Sequence, residues 1–429
     1  MKKVSIILTN RNTKDYLELA ITSIYKNNMD VILNGGEIIV LDDNSTDGSK
    51  EMLEHMENNL KNFYWTSHDN NERLGLMILN EAGIFFSDNE LIFLGHSDMY
   101  YGEDCIKNLE KYIEPKKVIC STRIEPPIYP DEPIRYQRHF GMTPETFKEE
   151  SFNDEVRTLK TDRLTEGVFA PTLMYKEDFC GYDPSFLPQS REDSRLFYQM
   201  AEKGVKFFQS WSSLVYHFSG KGSRKKDNEA DSKEWVNSNY KNTKNFIRLY
   251  KDYPKHLNRQ PDSSLKEVKL SLCVSTYKDE SRIYKFLENV EPYFDEIIIA
   301  SDDKFEDNTL NEIHRYIAEE GKLCETFNPN KFKFLIVNFN NDYSDIRNQM
   351  QEVVTSEWCF HADPDEYLPE DLMISLRNII KGVNNDIKVF GIARMNYLEN
   401  VLVNDIPRKN WNKQDLEKIK NDYENKKSK

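Results

Sequence analysis

The stretch EIIVLDDNSTDGS, residues 37–49, decides how the fold is read. Ile38-Ile39-Val40-Leu41 is a continuous apolar run, the pattern of a strand covered on both faces. It stops on Asp42-Asp43 and runs into Asn44, Ser45, Asp47 and Gly48, residues that make turns and cap helices. The arrangement occurs twice: DEIIIASDDKFEDNT, residues 295–309, is again an apolar strand ending on paired aspartates, Asp302-Asp303.

The surroundings of the two stretches repeat in the same order. Upstream of the first stands VSIILTNRN (4–12), a strand and polar turn, then DYLELAITSIYKN (15–27), with apolar residues at helical spacing. Downstream come a helix over 49–60 and the strand ELIFLGHSDMY (90–100), which ends at Asp98. The second series runs through the strand KLSLCVSTYKDE (269–280), the helix RIYKFLENVEPYF (282–294) and the strand FKFLIVNFN (332–340). It closes with the helix IRNQMQEVVTS (346–356) and the strand EWCFHADPDEYL (357–368). Strands alternating with helices predict an α/β fold with mostly parallel sheets, whose ligands sit at the carboxyl ends of strands. The boundaries follow: a first unit over 1–250, a polar linker over 251–267, a shortened second unit over 268–411 and a charged tail over 412–429.

Composition narrows the function. The chain has 429 residues, 38% hydrophobic and 12% aromatic, enough for real cores, and a formal net charge of −15 that argues against a duplex-binding surface. Its six cysteines include no C-x-x-C pair and read as reduced thiols of a cytoplasmic protein. The apolar run in MKKVSIILTN is too short for a signal peptide, and no stretch approaches the length of a transmembrane helix. Peripheral membrane association stays open.

Taken together, VSIILTNRN, IIVLDDNSTDGS, NNERLGLMILNEA, FLGHSDMY, SREDSRLFYQMAEKG and LVYHFSGKGSR resemble a family 2 glycosyltransferase with the GT-A fold, over most of residues 1–225. LSLCVSTYKDE, EIIIASDD, NNDYSDIRNQM and CFHADPDEYL resemble the same family, particularly its lipopolysaccharide-core type, over about residues 268–370. The expectation is therefore two tandem GT-A units.

The resemblance implies a nucleotide-sugar donor, a glycan, lipid-linked or protein acceptor, and a divalent cation, Mn²⁺ or Mg²⁺, to neutralise the leaving diphosphate. Asp98 matches the metal-touching aspartate of the D-x-D motif, and His217 the late histidine ligand. Neither His96 nor Ser97 supplies the motif's other carboxylate; Ser97 is placed with the donor and His96 without a metal contact. Asp43 matches the residue that binds the nucleobase, with Thr9 and Asp42 beside it, and Arg73 reaches base or diphosphate. Asp47 reads as turn chemistry. Glu192-Asp193 matches the acidic pair leading a helix, with Asp193 the base that takes the acceptor proton. Arg191 and the basic KGSRKK (221–226) are equally well phosphate contacts or solvated surface.

In the second unit the acidic motif is fuller: Asp303, Asp363, Asp365 and Glu366, with Arg347 and Asn348 as the family's RN pair. The acceptor half of a working domain is short, so this unit is expected to bind donor or serve as an accessory. Two other readings stand beside the transferase. One is a non-catalytic scaffold that binds glycan or nucleotide-sugar. The other is a nucleotidyltransferase, against which the glycine-free LTNRNTKDY speaks.

Overall fold

A computed structural model describes residues 2–68, 73–128, 132–219, 229–251, 268–304, 306–338, 340, 342–382, 389, 391 and 392, with the side chains of 229–232 excepted. The expected linker beyond Lys251, the tail, KGSRKK and the second unit past Gly382, save three residues, lie outside the described set.

The first sheet has ten strands. They are β1 (Val4–Asn10), β2 (Glu37–Asp42), β3 (Phe63–Ser67), β4 (Leu91–Leu94), β5 (Met99–Tyr101), β6 (Lys117–Glu125), β7 (Arg135–Gln137), β8 (Leu164–Glu166), β9 (Thr172–Tyr175) and β10 (Lys206–His217). Their order is β3-β2-β1-β4-β9-β6-β10-β5, with β7 paired to β6 and β8 to β10. The second sheet holds β11 (Leu270–Thr276), β12 (Glu296–Asp302), β13 (Phe332–Val337) and β14 (Trp358–His361), in the order β13-β12-β11-β14. That order reproduces β3-β2-β1-β4, all parallel in both. β1, β2, β11 and β12 are almost wholly buried because helices cover both faces, which is why their sequences are apolar runs.

The repeat extends to buried polar detail. Ser5 Oγ donates to Glu37 at 2.5 Å across β1 and β2, and Ser271 Oγ donates to Glu296 at 2.6 Å across β11 and β12. Asp47 accepts from the Ser49 amide and hydroxyl at the start of the helix Ser49–Asn59, and Asp307 does the same for Thr309 before the helix Thr309–Leu323. Asp47 is thus the turn residue the sequence suggested.

The helix Glu229–Leu249 joins the sheets, and the described residues up to Gly382 pack as one compact unit. Phe246 belongs to the core of the first sheet and the adjacent Ile247 to that of the second. Toward the second sheet, Arg248 reaches Glu291 at 2.5 Å and Glu320 at 2.6 Å, and Lys244 reaches Glu320 at 2.5 Å. These ions are buried, and each charge has an opposite partner, the condition for such a network to be tolerated. No described helix is long and apolar enough to cross a membrane.

Candidate active site

The strand order reverses at β1, between β2 and β4, a switch point of the kind whose strand carboxyl ends border a crevice. A cleft of about 650 Å³ opens there, within the roughly 300–1,000 Å³ range of small-molecule sites. Thr9, Asp43, Arg73, Ser97, Asp98, Arg191, Glu192, Asp193 and His217 all line it. Asp42, expected beside them, does not line it.

Geometry separates the two aspartates of the opening stretch. Asp42 is consumed internally, accepting from Asn10 Nδ2 at 2.7 Å, the Ser45 amide at 2.8 Å and the Ser45 hydroxyl at 2.6 Å. Asp43 turns toward the cleft and organises its rim. It accepts from the Leu74 amide at 2.9 Å and the Gly75 amide at 3.2 Å, with His68 Nε2 at 2.8 Å and Arg73 Nε at 3.4 Å. Gly75 is required there: its φ is +84°, and a Cβ would lie 2.6 Å from the Pro188 carbonyl oxygen. Arg73 also donates to Glu234 at 2.7 Å and Gln189 at 3.0 Å.

Register brings the metal candidates together. Antiparallel β5 and β10 pair Met99 with His217, and the Phe218 amide donates to the Asp98 carbonyl. Parallel β6 and β10 pair Ile124 with Tyr216, which sets Glu125 level with His217. His217 Nδ1 lies 2.6 Å from Glu125 Oε1, and its Nε2 lies 3.4 Å from Asp98 Oδ2. Glu125 is buried, and burial alone would raise its carboxyl; the hydrogen bond from His217 and the nearby Arg123 charge win and hold it down at about 2. An ionised carboxylate only accepts, so Nδ1 carries the proton and Nε2 is the nitrogen available to an ion.

His96, expected to make no metal contact, stands beside this pair. Ligand atoms of His96, Asp98 and His217 lie within 4.8 Å of one another. Burial, then Arg123, lowers His96 to about 4, so its ring is neutral at ordinary pH. Burial opposes ionisation of Asp98, but the charge of His217 and its hydrogen bond dominate and hold the carboxyl well below the usual range. Burial likewise opposes charge on His217, yet Asp98 and Glu125 raise it. One carboxylate and two imidazoles, with a carboxylate behind one ring, fit a divalent transition ion such as Mn²⁺.

The same cleft is lined by the acidic pair. Ser190 and Arg191 both have left-handed backbones, φ +79° and +63°, an arrangement that costs on the order of 1–3 kcal/mol each and must be held by its surroundings. The bridging helix holds it: Asn242 Nδ2 donates to the carbonyls of Phe186, Gln189 and Ser190 at 2.6, 2.8 and 3.0 Å. Ser190 Oγ donates to Asn239 and Arg191 Nε to Thr243. Asp193 then lies in the first turn of the helix Glu192–Glu202, where the helix dipole favours its charge. It accepts from the Ser194 amide at 2.6 Å.

The sequence reading missed Glu125, Arg123, Arg135, Gln189, Trp235 and Asn239, all of which line the cleft. Arg123 and Glu125, two charges at i and i+2 closing the apolar strand VICSTRIE, were the available signal. The second sheet brings less together. Asp303, Arg347 and Asp365 are exposed, while Asp363 and Glu366 are half-buried in one turn. Among the described residues these carboxylates form no three-ligand group.

The sequence profile of glycosyl transferase family 2 matches residues 5–178 and 271–426. The chain belongs to this family. The two matched segments take in most of the first sheet, though not β10, and the second sheet, in keeping with the tandem α/β reading. No curated protein sequence matches the chain. Among solved structures, it is similar to GalNAc-T7 with UDP, GalNAc and Mn²⁺ at 14% identity and TM-score 0.44, covering 75% of this chain and 55% of that one. S. aureus TarS 1-349 in complex with UDP-GlcNAc aligns at 16% identity and TM-score 0.39, covering 58% and 66%. Mannosyltransferase PcManGT from Pyrobaculum calidifontis, in complex with GDP-Man and Mn²⁺, aligns at 14% and 0.40, covering 59% and 65%. This chain thus spans 55% and 66% of the first two neighbours' lengths.

Proposed function

We propose that the first unit is a metal-dependent inverting glycosyltransferase. It takes a nucleotide-sugar, a UDP-sugar being the first to test, and glycosylates a glycan, lipid-linked or protein hydroxyl. The observation that carries this is a single cleft lined by Asp98 and His217, backed by Glu125, and also by Asp193. A divalent ion held by Asp98 and His217, with His96 beside them, supplies charge neutralisation at the leaving diphosphate. Asp43 and Thr9 form the floor for the base, and Arg73 and Arg191 stand where phosphate oxygens need donors. Asp193 takes the proton from the acceptor hydroxyl as that oxygen attacks the anomeric carbon; Glu192 lines the same cleft. The second unit acts as an accessory or donor-binding module, and a cytoplasmic site of action belongs to the same proposal.

A panel of nucleotide-sugars, followed by nucleotide release with Mn²⁺ and with chelator, tests this. The expected result is Mn²⁺-dependent release that the Asp193→Asn variant lowers by about 10²–10⁴-fold. Metal-independent release would remove the roles of Asp98 and His217. Unchanged turnover in a folded Asp193→Asn protein would remove the base. Donor binding without any turnover would favour the scaffold.

A further inference from the structure

The second sheet carries a group of side chains that this reaction does not use. Parallel pairing sets Cys359 of β14 beside Ser271 of β11, and His361 beside Cys273. Register partners share a face of a sheet, as do residues two apart on one strand. Cys273, Cys359 and His361 therefore project from one face. Their ligand atoms lie within 4.8 Å of one another, with Cys359 Sγ 3.8 Å from His361 Nε2. Metal–sulfur bonds of about 2.3 Å and a metal–nitrogen bond of about 2.0 Å, at tetrahedral angles, put ligand atoms about 3.5–3.8 Å apart. The observed spacing needs only small side-chain rotations to meet that figure. Both cysteines are free thiols. Cys273 is buried, while Cys359 and His361 are half-buried, which leaves a way in.

Buried cysteines are often no more than small apolar side chains. An imidazole nitrogen converging on two sulfurs, in the same layer as the buried Met350, has no use in apolar packing. We propose that Cys273, Cys359 and His361 bind one soft divalent cation of the Zn²⁺ class. Each thiol loses its proton as its sulfur–metal bond forms. The ligand set is softer than that of the cleft, so the two places select different ions. The consequence is structural. Among the described residues β14 is the last strand of the sheet and pairs only with β11. An ion shared by the two strands pins β14, and with it the turn that carries Asp363, Asp365 and Glu366.

The test uses the full chain, stripped of metal and kept reduced, and titrated with Co²⁺ as a spectroscopic substitute. One equivalent is expected to develop sulfur-to-cobalt charge-transfer absorption, which Zn²⁺ abolishes by displacement. Cys359→Ala, at a half-exposed position, is expected to weaken Co²⁺ binding at least 10-fold, and His361→Ala likewise. Asp98→Asn is expected to leave the absorption unchanged, because no sulfur lies in the cleft group. Absence of the absorption in the wild-type chain, or its survival in a folded Cys359→Ala variant, overturns the proposal. Neither result bears on the transferase reading.

Discussion

Replacing Glu125 by Gln isolates the carboxylate behind His217. The substitution keeps shape and removes charge, and it leaves the amide two orientations. With its oxygen toward His217 Nδ1, 2.6 Å away in the native protein, its NH₂ faces Arg135, whose Nη1 now donates to Glu125 at 2.6 Å. Two donors then confront each other in a buried place, at a cost of about 1–3 kcal/mol. With the amide turned, NH₂ donates to Nδ1, and the imidazole must carry its proton on Nε2, the nitrogen assigned to the ion. Either way the cleft binds metal less well. Loss of such a supporting carboxylate typically weakens metal binding 10–100-fold, or about 1.4–2.7 kcal/mol.

The assay follows the Mn²⁺ concentration giving half-maximal nucleotide release, beside a direct Mn²⁺ titration by electron paramagnetic resonance. Both are expected to shift by the same 10–100-fold factor, with maximal turnover recovered in part at saturating Mn²⁺. An unchanged Mn²⁺ affinity in a folded Glu125→Gln protein would show that His217 Nε2 does not meet the ion, and the triad would be a structural ion cluster only.

Asp42→Ala and Asp43→Ala are expected to diverge. The first removes a self-contained hydrogen-bond cluster and lowers stability by about 2–4 kcal/mol while leaving the donor KM near wild type; the second raises the donor KM, read from initial rates beside thermal unfolding. Arg248→Met leaves Glu291 and Glu320 short of a buried partner and is expected to cost about 3–5 kcal/mol in denaturant unfolding. Acid should have a related effect. Burial opposes the charge on Glu291, but Lys331 and Arg248 overcome this and lower its pKa from 4.5 to about 2. A depressed carboxyl stabilises the fold above its unfolded value, and the contribution drains away as pH falls from about 4.5 toward 2. The loss is on the order of 3 kcal/mol at most, visible as a falling unfolding midpoint across that window.

What the sequence discloses follows burial. β1, β2, β4, β11 and β12 lie under helices, so each is an apolar run that ends visibly where its side chains meet the crevice. The region between Asp98 and Glu192 is different. β5, β7 and β8 have three residues each, too few to show any period; β5 and β8 join the sheet by antiparallel pairing with the distant β10, and β7 by edge pairing with β6. Glu125 was lost for that reason: its partner is 92 residues away, and only the β6–β10 register makes them neighbours. Asp42 and Asp43 look equivalent in sequence because both close the same strand, and the period-2 alternation that sends one into the core and the other to the cleft depends on where the strand stops.

The two sheets are alike in strand order, buried Ser–Glu pair and helix-capping aspartate, so none of these distinguishes a working unit from an accessory one. The difference lies in what faces the strand ends. β14 ends in more carboxylates than β4, yet among the described residues only the first sheet's strand ends share a cleft with an acidic helix start, the Ser190–Asp193 segment. That segment does not stand by itself. Its left-handed pair is fastened by Asn239, Asn242 and Thr243 to one side of a helix whose other side is bolted through Lys244, Ile247 and Arg248 into the second sheet. Cutting the chain after residue 250 would leave those three residues uncovered, with two cations stripped of their carboxylates and an apolar side chain facing water. The helix would keep Phe246 in the first core but lose its anchorage on the second sheet, and its hold on the strained backbone leading to Asp193 would loosen. A first unit produced alone should therefore bind metal through Asp98 and His217 nearly as well as the whole chain, since β5, β6 and β10 are intact, yet turn over poorly. If it turned over normally, the catalytic segment would owe nothing to the second sheet.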